Sequence, residues 1–129
     1  MKRITASLLT FTVASCALST LPACTGTTST GTMYKMTATR ELTTTLRGDL
    51  AYVHETALRV LRDDFGYIVK NERRDALEGI IEATTAKEDG VRVETYRETD
   101  ELTRIEVWVG PLGNETFAKQ ILSKIETSL

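Results

Sequence analysis

Val91-Arg92-Val93-Glu94-Thr95-Tyr96 and Thr103-Arg104-Ile105-Glu106-Val107-Trp108-Val109 are two runs in which apolar or threonine residues alternate with polar or aromatic ones. A period of two is the mark of a strand with one face buried, and the polar link Glu98-Thr99-Asp100-Glu101 between the runs suits a hairpin turn. A slip of one residue would turn every side chain to the other face, so burial restricts the register. Pairing Val93 with Ile105 keeps the apolar sets together, and it sets Glu94 opposite Arg104 and Arg92 opposite Glu106. Each such cross-strand charge pair is worth roughly a few tenths of a kcal/mol. The same arrangement puts Trp108, Tyr96, Arg92 and Arg104 together on the opposite face.

Working outward, Glu88-Asp89-Gly90 suits a short connection to a preceding strand over Ile80–Lys87, with the glycine at positive φ. Tyr67 to Lys70 has strand composition, and Asn71-Glu72-Arg73-Arg74-Asp75 extends or turns it. Upstream, Leu50, Val53, Ala57, Val60, Leu61 and Phe65 recur at helical spacing. Asp49 is placed to cap this helix and Gly66 to end it. Tyr34 to Arg47 reads as one threonine-rich strand. Downstream, Gly110-Pro111-Leu112-Gly113 closes the hairpin, and Asn114 caps a final helix with Phe117, Ala118, Ile121, Leu122 and Ile125 on one stripe. The order β-α-β-β-β-β-α predicts an α+β two-layer sandwich, an antiparallel sheet with both helices on one face.

The N-terminus reads differently. Lys2 and Arg3 precede an uncharged stretch from Ile4 to Leu21, which ends at Leu21-Pro22-Ala23-Cys24. This is the form of a lipoprotein export signal, with the leader removed and the cysteine acylated. Many hydroxyl residues and Pro22 make the stretch a poor membrane span. Val13-Ala14-Ser15-Cys16 is an alternative box, but the chain stays apolar after Cys16 and turns polar at once after Cys24. The expected organisation is a leader over 1–23, a lipidated cysteine with a flexible Thr/Gly/Ser tether over 24–33, and one domain over 34–129. Thr25 to Thr32 would reach at most about 25–30 Å at full extension. Membrane contact through the N-terminal lipid and a place outside the cytoplasm follow. Thr25 rather than aspartate after the cysteine favours the outer over the inner membrane, if the cell has one.

After cleavage, 14 basic face 18 acidic residues, a net charge of −4 with His54 neutral. With no basic patch, nucleic acid is a poor partner. No cysteine remains in the folded part for a structural disulfide.

Leu46, the Leu50–Leu61 helix entry, Asp75-Ala76-Leu77 leading into Gly79-Ile80-Ile81-Glu82-Ala83, and Val107–Gly110 with Leu112-Gly113-Asn114-Glu115 before Ile121-Leu122 and Ile125 form a pattern. With the lipidation box, it resembles a family of small bacterial lipoproteins catalogued only as a domain of unknown function. Asp49 departs from that pattern, which has proline at the helix start. The resemblance implies a secreted, lipid-anchored domain and supplies no catalytic residues. By fold alone the domain is also similar to the helix-grip modules of an outer-membrane assembly lipoprotein, an analogy that does not carry function.

Residues that could carry chemistry are sparse. His54 is the single histidine and reads as a surface residue of the first helix; one imidazole cannot make a zinc site. Asp63-Asp64 and Asp100-Glu101 read as solvated charges at a helix end and a hairpin tip, too few to hold calcium. Gly110–Gly113 is a tight turn before a helix N-terminus rather than an anion loop. No nucleophile elbow, P-loop or dinucleotide motif is present. The sequence therefore predicts a non-enzymatic envelope protein without metal or cofactor. Its domain binds an envelope protein or plays a structural role, and Trp108, Tyr96, Arg92 and Arg104 are the candidate partner face. The alternative is a small-ligand or lipid-binding module, with a cavity lined by Leu46, Val53, Ile105 and Phe117.

Overall fold

The computed structural model describes residues 24–129. The leader and Cys16 lie outside the described residues. Seven strands and two helices follow in the order β1 (Cys24–Thr27), β2 (Met33–Met36), β3 (Leu42–Arg47), α1 (Leu50–Arg59), β4 (Ile68–Arg74), β5 (Glu78–Thr84), β6 (Gly90–Arg97), β7 (Leu102–Val109) and α2 (Glu115–Ser128). The strands form one antiparallel sheet in the order β1-β2-β3-β7-β6-β5-β4. From β3 onward this is the expected α+β sandwich, with both helices packed on the inner sheet face.

Upstream of β3 the expectation of a free tether and one long strand is corrected. Residues 24–36 form a hairpin, β1–β2, added to the sheet edge. A single local device makes the difference. At Thr28, Thr37 and Thr85 the threonine carbonyl accepts the N–H of the third residue on, and its own N–H reaches the fourth residue's carbonyl. Its hydroxyl accepts the N–H of that fourth residue at 3.1–3.2 Å. The third residue takes positive φ each time: Gly31, Arg40 and Glu88. A threonine hydroxyl that satisfies a turn's donors competes with strand extension, so Thr37 breaks the run read as continuous. In the β5–β6 turn it is Glu88 (φ 64) and not Gly90 that adopts the left-handed conformation.

The β6–β7 register is also corrected. Val93 faces Val107 and Thr95 faces Ile105, two residues away from the charge-paired alternative. A two-residue slip keeps every side chain on its face, so burial cannot distinguish the registers. The turn closes with the N–H groups of Glu98 and Thr99 both on the Leu102 carbonyl, at 3.0 and 3.1 Å.

Asp49 caps α1 by accepting the Tyr52 N–H at 2.8 Å, and Asn114 caps α2 through the Phe117 N–H at 3.2 Å. α1 widens into a turn of π-helix over Val60–Asp64 and stops at Gly66 (φ 66). The core consists of Leu42, Leu46, Ile81, Val93, Ile105 and Val107 from the sheet, against Val53, Val60 and Leu61 of α1 and Ile121, Leu122 and Ile125 of α2. Complete burial of each large aliphatic side chain contributes about 1.5–3 kcal/mol. Phe117, expected on the buried stripe, instead stands 47% exposed on the first turn of α2.

Candidate functional site

The outer sheet face is uncovered, and the register arranges it in rows. Arg92 lies opposite Trp108, Glu94 opposite Glu106, and Tyr96 opposite Arg104. All four residues of the candidate face are therefore brought together on β6 and β7. The Arg92 guanidinium sits 5.8 Å from the Trp108 ring centroid, and Arg104 sits 4.5 Å from that of Tyr96. Each cation–π contact is worth about 0.5–1 kcal/mol at an exposed site.

Glu94 and Glu106, facing one another, would repel; each is neutralised along its own strand instead. Arg92 Nε lies 3.1 Å from Glu94, and Arg104 Nε lies 3.2 Å from Glu106. Arg92 also reaches Glu41 at 3.2 Å. Arg104 Nε is buried yet makes no directed hydrogen bond, because the carboxylate lies off its N–H axis. Tyr96 donates to Glu94, and this bond, followed by burial, pushes the phenol up to about 12. Burial raises the Glu106 carboxyl above the ordinary range, the Glu41 and Glu94 carboxylates add to this, and Arg104 and Arg92 oppose it. The face thus concentrates aromatic surface and alternating charge in a half-dehydrated layer.

The surface position expected for His54 is wrong: the ring is completely buried. Its Nε2 lies 2.9 Å from Glu72 Oε1 on β4, and its Nδ1 lies 3.1 Å from the Thr95 hydroxyl on β6. A carboxylate only accepts, so Nε2 carries a proton that it donates to Glu72, and Nδ1 shares a hydrogen bond with the Thr95 hydroxyl. The slot for the ring exists because β5 has glycine beneath it. A Cβ on Gly79 would run into the imidazole and come within 2.8 Å of Thr95 Oγ1. The Glu–His–Thr order has the form of a relay, but Thr95 is fully buried and its hydroxyl meets only His54 and, at 3.4 Å, the Gly79 carbonyl. The trio fastens α1 to two strands, β4 and β6. The signal for it was the helical phase, since His54 lies four residues after Leu50 and three before Ala57, on the apolar stripe.

The remaining candidates stay apart. Asp63 pairs with Arg62 at 3.1 Å, and Asp100 pairs with Arg97. Among the described residues no group of three or more His, Cys, Asp or Glu is placed to hold a metal ion. In the Gly110–Gly113 loop, Gly110 N–H is used by the Gly90 carbonyl at 2.7 Å and Gly113 N–H by that of Gly110 at 3.4 Å. Leu46, Val53 and Ile105 belong to the packed core, whereas Phe117 lies outside it. Among the described residues no helix is long and apolar enough to cross a membrane.

Fold and site together define a small α+β domain with one helix-covered and one uncovered sheet face. The chain belongs to the family described as a protein of unknown function (DUF3568), whose model matches residues 1–128. No curated protein matches the chain.

Two measurements test this geometry. Gly79→Ala should lower stability by about 2–4 kcal/mol in chemical denaturation, and His54→Ala should do so by a similar amount. If the two share one slot, Gly79→Ala will cost less than half as much in the His54→Ala background; simple additivity would contradict the packing. Glu106→Gln should raise the denaturation midpoint at pH 7, because a raised folded-state pKa means that ionisation weakens the fold. Wild type regains that stability as pH falls through the glutamate range, so the gain of the variant should vanish in acid.

Proposed function

We propose that the protein is a lipid-anchored component of a bacterial envelope, fixed through Cys24, whose domain is a non-enzymatic module for binding another envelope protein. The leader with its Leu21-Pro22-Ala23-Cys24 box supports export and acylation. Thr25 after the cysteine favours the outer membrane, with the domain in the periplasm.

The observation that carries the binding role is the outer face of β6 and β7. Trp108 and Tyr96, each half-buried and each paired across the strands with an arginine, lie two rows apart on a sheet surface that neither helix covers, with Glu94 and Glu106 in the row between. Aromatic residues and arginine concentrate binding energy in protein interfaces, because they bury large areas with little loss of side-chain freedom. Alternating Arg and Glu rows add a polar pattern that a complementary protein surface can match. A small-ligand module has less to support it, since Leu46, Val53 and Ile105, which would line its cavity, pack into the core, and Phe117 stands outside it.

Crosslinking in intact cells, followed by mass spectrometry, tests the reading. Wild-type protein should capture a reproducible envelope protein, and Trp108→Ala should cut that capture at least about tenfold, as loss of a central aromatic anchor does. Undiminished capture by a Trp108→Ala protein of normal abundance would exclude this face.

A further inference from the structure

We propose that the end of the domain bearing Leu112 and Phe117 rests in the apolar margin of the bilayer that holds the anchor, so that the domain is held upright rather than on a leash. The inference deepens the anchoring proposal and rests on it.

The first support is the place of Cys24 in the fold. Its backbone pairs with Met36, the last residue of β2. Met36 pairs with Leu42 at the start of β3, and Leu42 with Val107 near the end of β7. Cys24 thus sits toward the sheet end that carries the Thr37–Glu41 and Thr85–Asp89 turns and the Gly110–Gly113 loop. The anchor residue is part of the sheet.

The second support is that the hairpin bearing it is clamped down. Thr28 donates to Glu126 on α2 at 3.0 Å, and Thr30 donates to the same carboxylate. Tyr34, only 4% exposed, donates to Glu115 at 2.9 Å, and Lys119 lies 5.5 Å from its ring. No slack remains between the anchor residue and the globule, and the reach of a free tether is lost.

The third support is what this end presents. Leu112 is 80% exposed, the highest value among the large apolar side chains described, and Phe117 beside it is 47% exposed. Their loop is braced against the β2–β3 turn: Gly113 takes φ +70, and a Cβ there would lie 3.0 Å from the Arg40 carbonyl oxygen. β7 is three strands from β1, roughly 14 Å at ordinary strand spacing. An acyl group on Cys24 therefore brings Leu112 to the membrane surface. Arg40, Lys87 and Lys119 at this end are matched by Glu88, Asp89 and Glu115, so charge does not attract it to lipid headgroups. Apolar insertion does, to the shallow depth of about 5–10 Å at which interfacial segments sit. The Trp108 face then stands at a steep angle to the membrane, open to a partner anchored alongside.

Full-length Leu112→Cys and Leu77→Cys proteins, matured in bacteria, would be spin-labelled in liposomes of phosphatidylethanolamine and phosphatidylglycerol. Leu77 is 68% exposed in the β4–β5 turn at the opposite end, and both substitutions are at surface positions. With Cys16 removed and Cys24 acylated, the new thiol is the one that labels. The ratio of oxygen to nickel-chelate accessibility should be several-fold higher at 112 than at 77. Equal, aqueous ratios at both sites in protein whose mass shows diacylglycerol on Cys24 would overturn the upright orientation and leave anchoring intact. A mass without lipid on Cys24 would remove the anchoring proposal and the orientation with it.

Discussion

The pairing of β6 with β7 is the constraint on which the rest of the molecule depends. These strands lie in the middle of the sheet, and both helices pack over them. Their inner residues Val93, Ile105 and Val107 are completely buried, so the apolar period of two is satisfied wherever the register falls on an even step. Which even step is adopted decides what the other face looks like. The observed one places arginine opposite aromatic rather than arginine opposite glutamate, and lets each glutamate find its arginine within its own strand. An exposed ion pair gives little in either geometry, typically below about 1 kcal/mol. Cross-strand charge matching was therefore a weak term against turn closure and two cation–π contacts.

The same economy governs the interior. A buried imidazole of α1 and a buried hydroxyl of β6 lie between helix and sheet, and they are tolerated because each has a partner within 3.1 Å, the exposed Glu72 carboxylate among them, and because β5 supplies a glycine where a side chain would intrude. A threonine-rich chain uses its hydroxyls at its turns in the same way. Thr28, Thr37 and Thr85 each hold a donor that would otherwise need water. The first of these turns folds the N-terminal stretch onto α2 and makes Cys24 part of the sheet edge.

Much of this was legible in the residues. The alternation from Val91 to Tyr96 and from Thr103 to Val109 defined the two faces, and the grouping of Trp108 with Tyr96, Arg92 and Arg104 followed from it. Asp49 and Asn114 marked the helix starts correctly. What could not be read were features set by residues distant in sequence. Burial of His54 depends on Gly79, and the order of that contact emerges only once β5 lies beneath α1. Phe117 looked like core by its spacing, yet Ala118 and Ile121 occupy the inner side of that turn. The β1–β2 hairpin was hidden because glycine and threonine suggest a flexible tether in the absence of a docking surface, and Glu126 on the last helix provides one.

Cross-strand nuclear Overhauser effects across β6 and β7 test the central claim most directly. The account predicts contacts that link residue 93 to 107 and residue 95 to 105, with the Arg104 side chain shifted by the Tyr96 ring. Contacts linking residue 93 to 105 would restore the charge-paired register, part arginine from aromatic, and contradict the arrangement of the face.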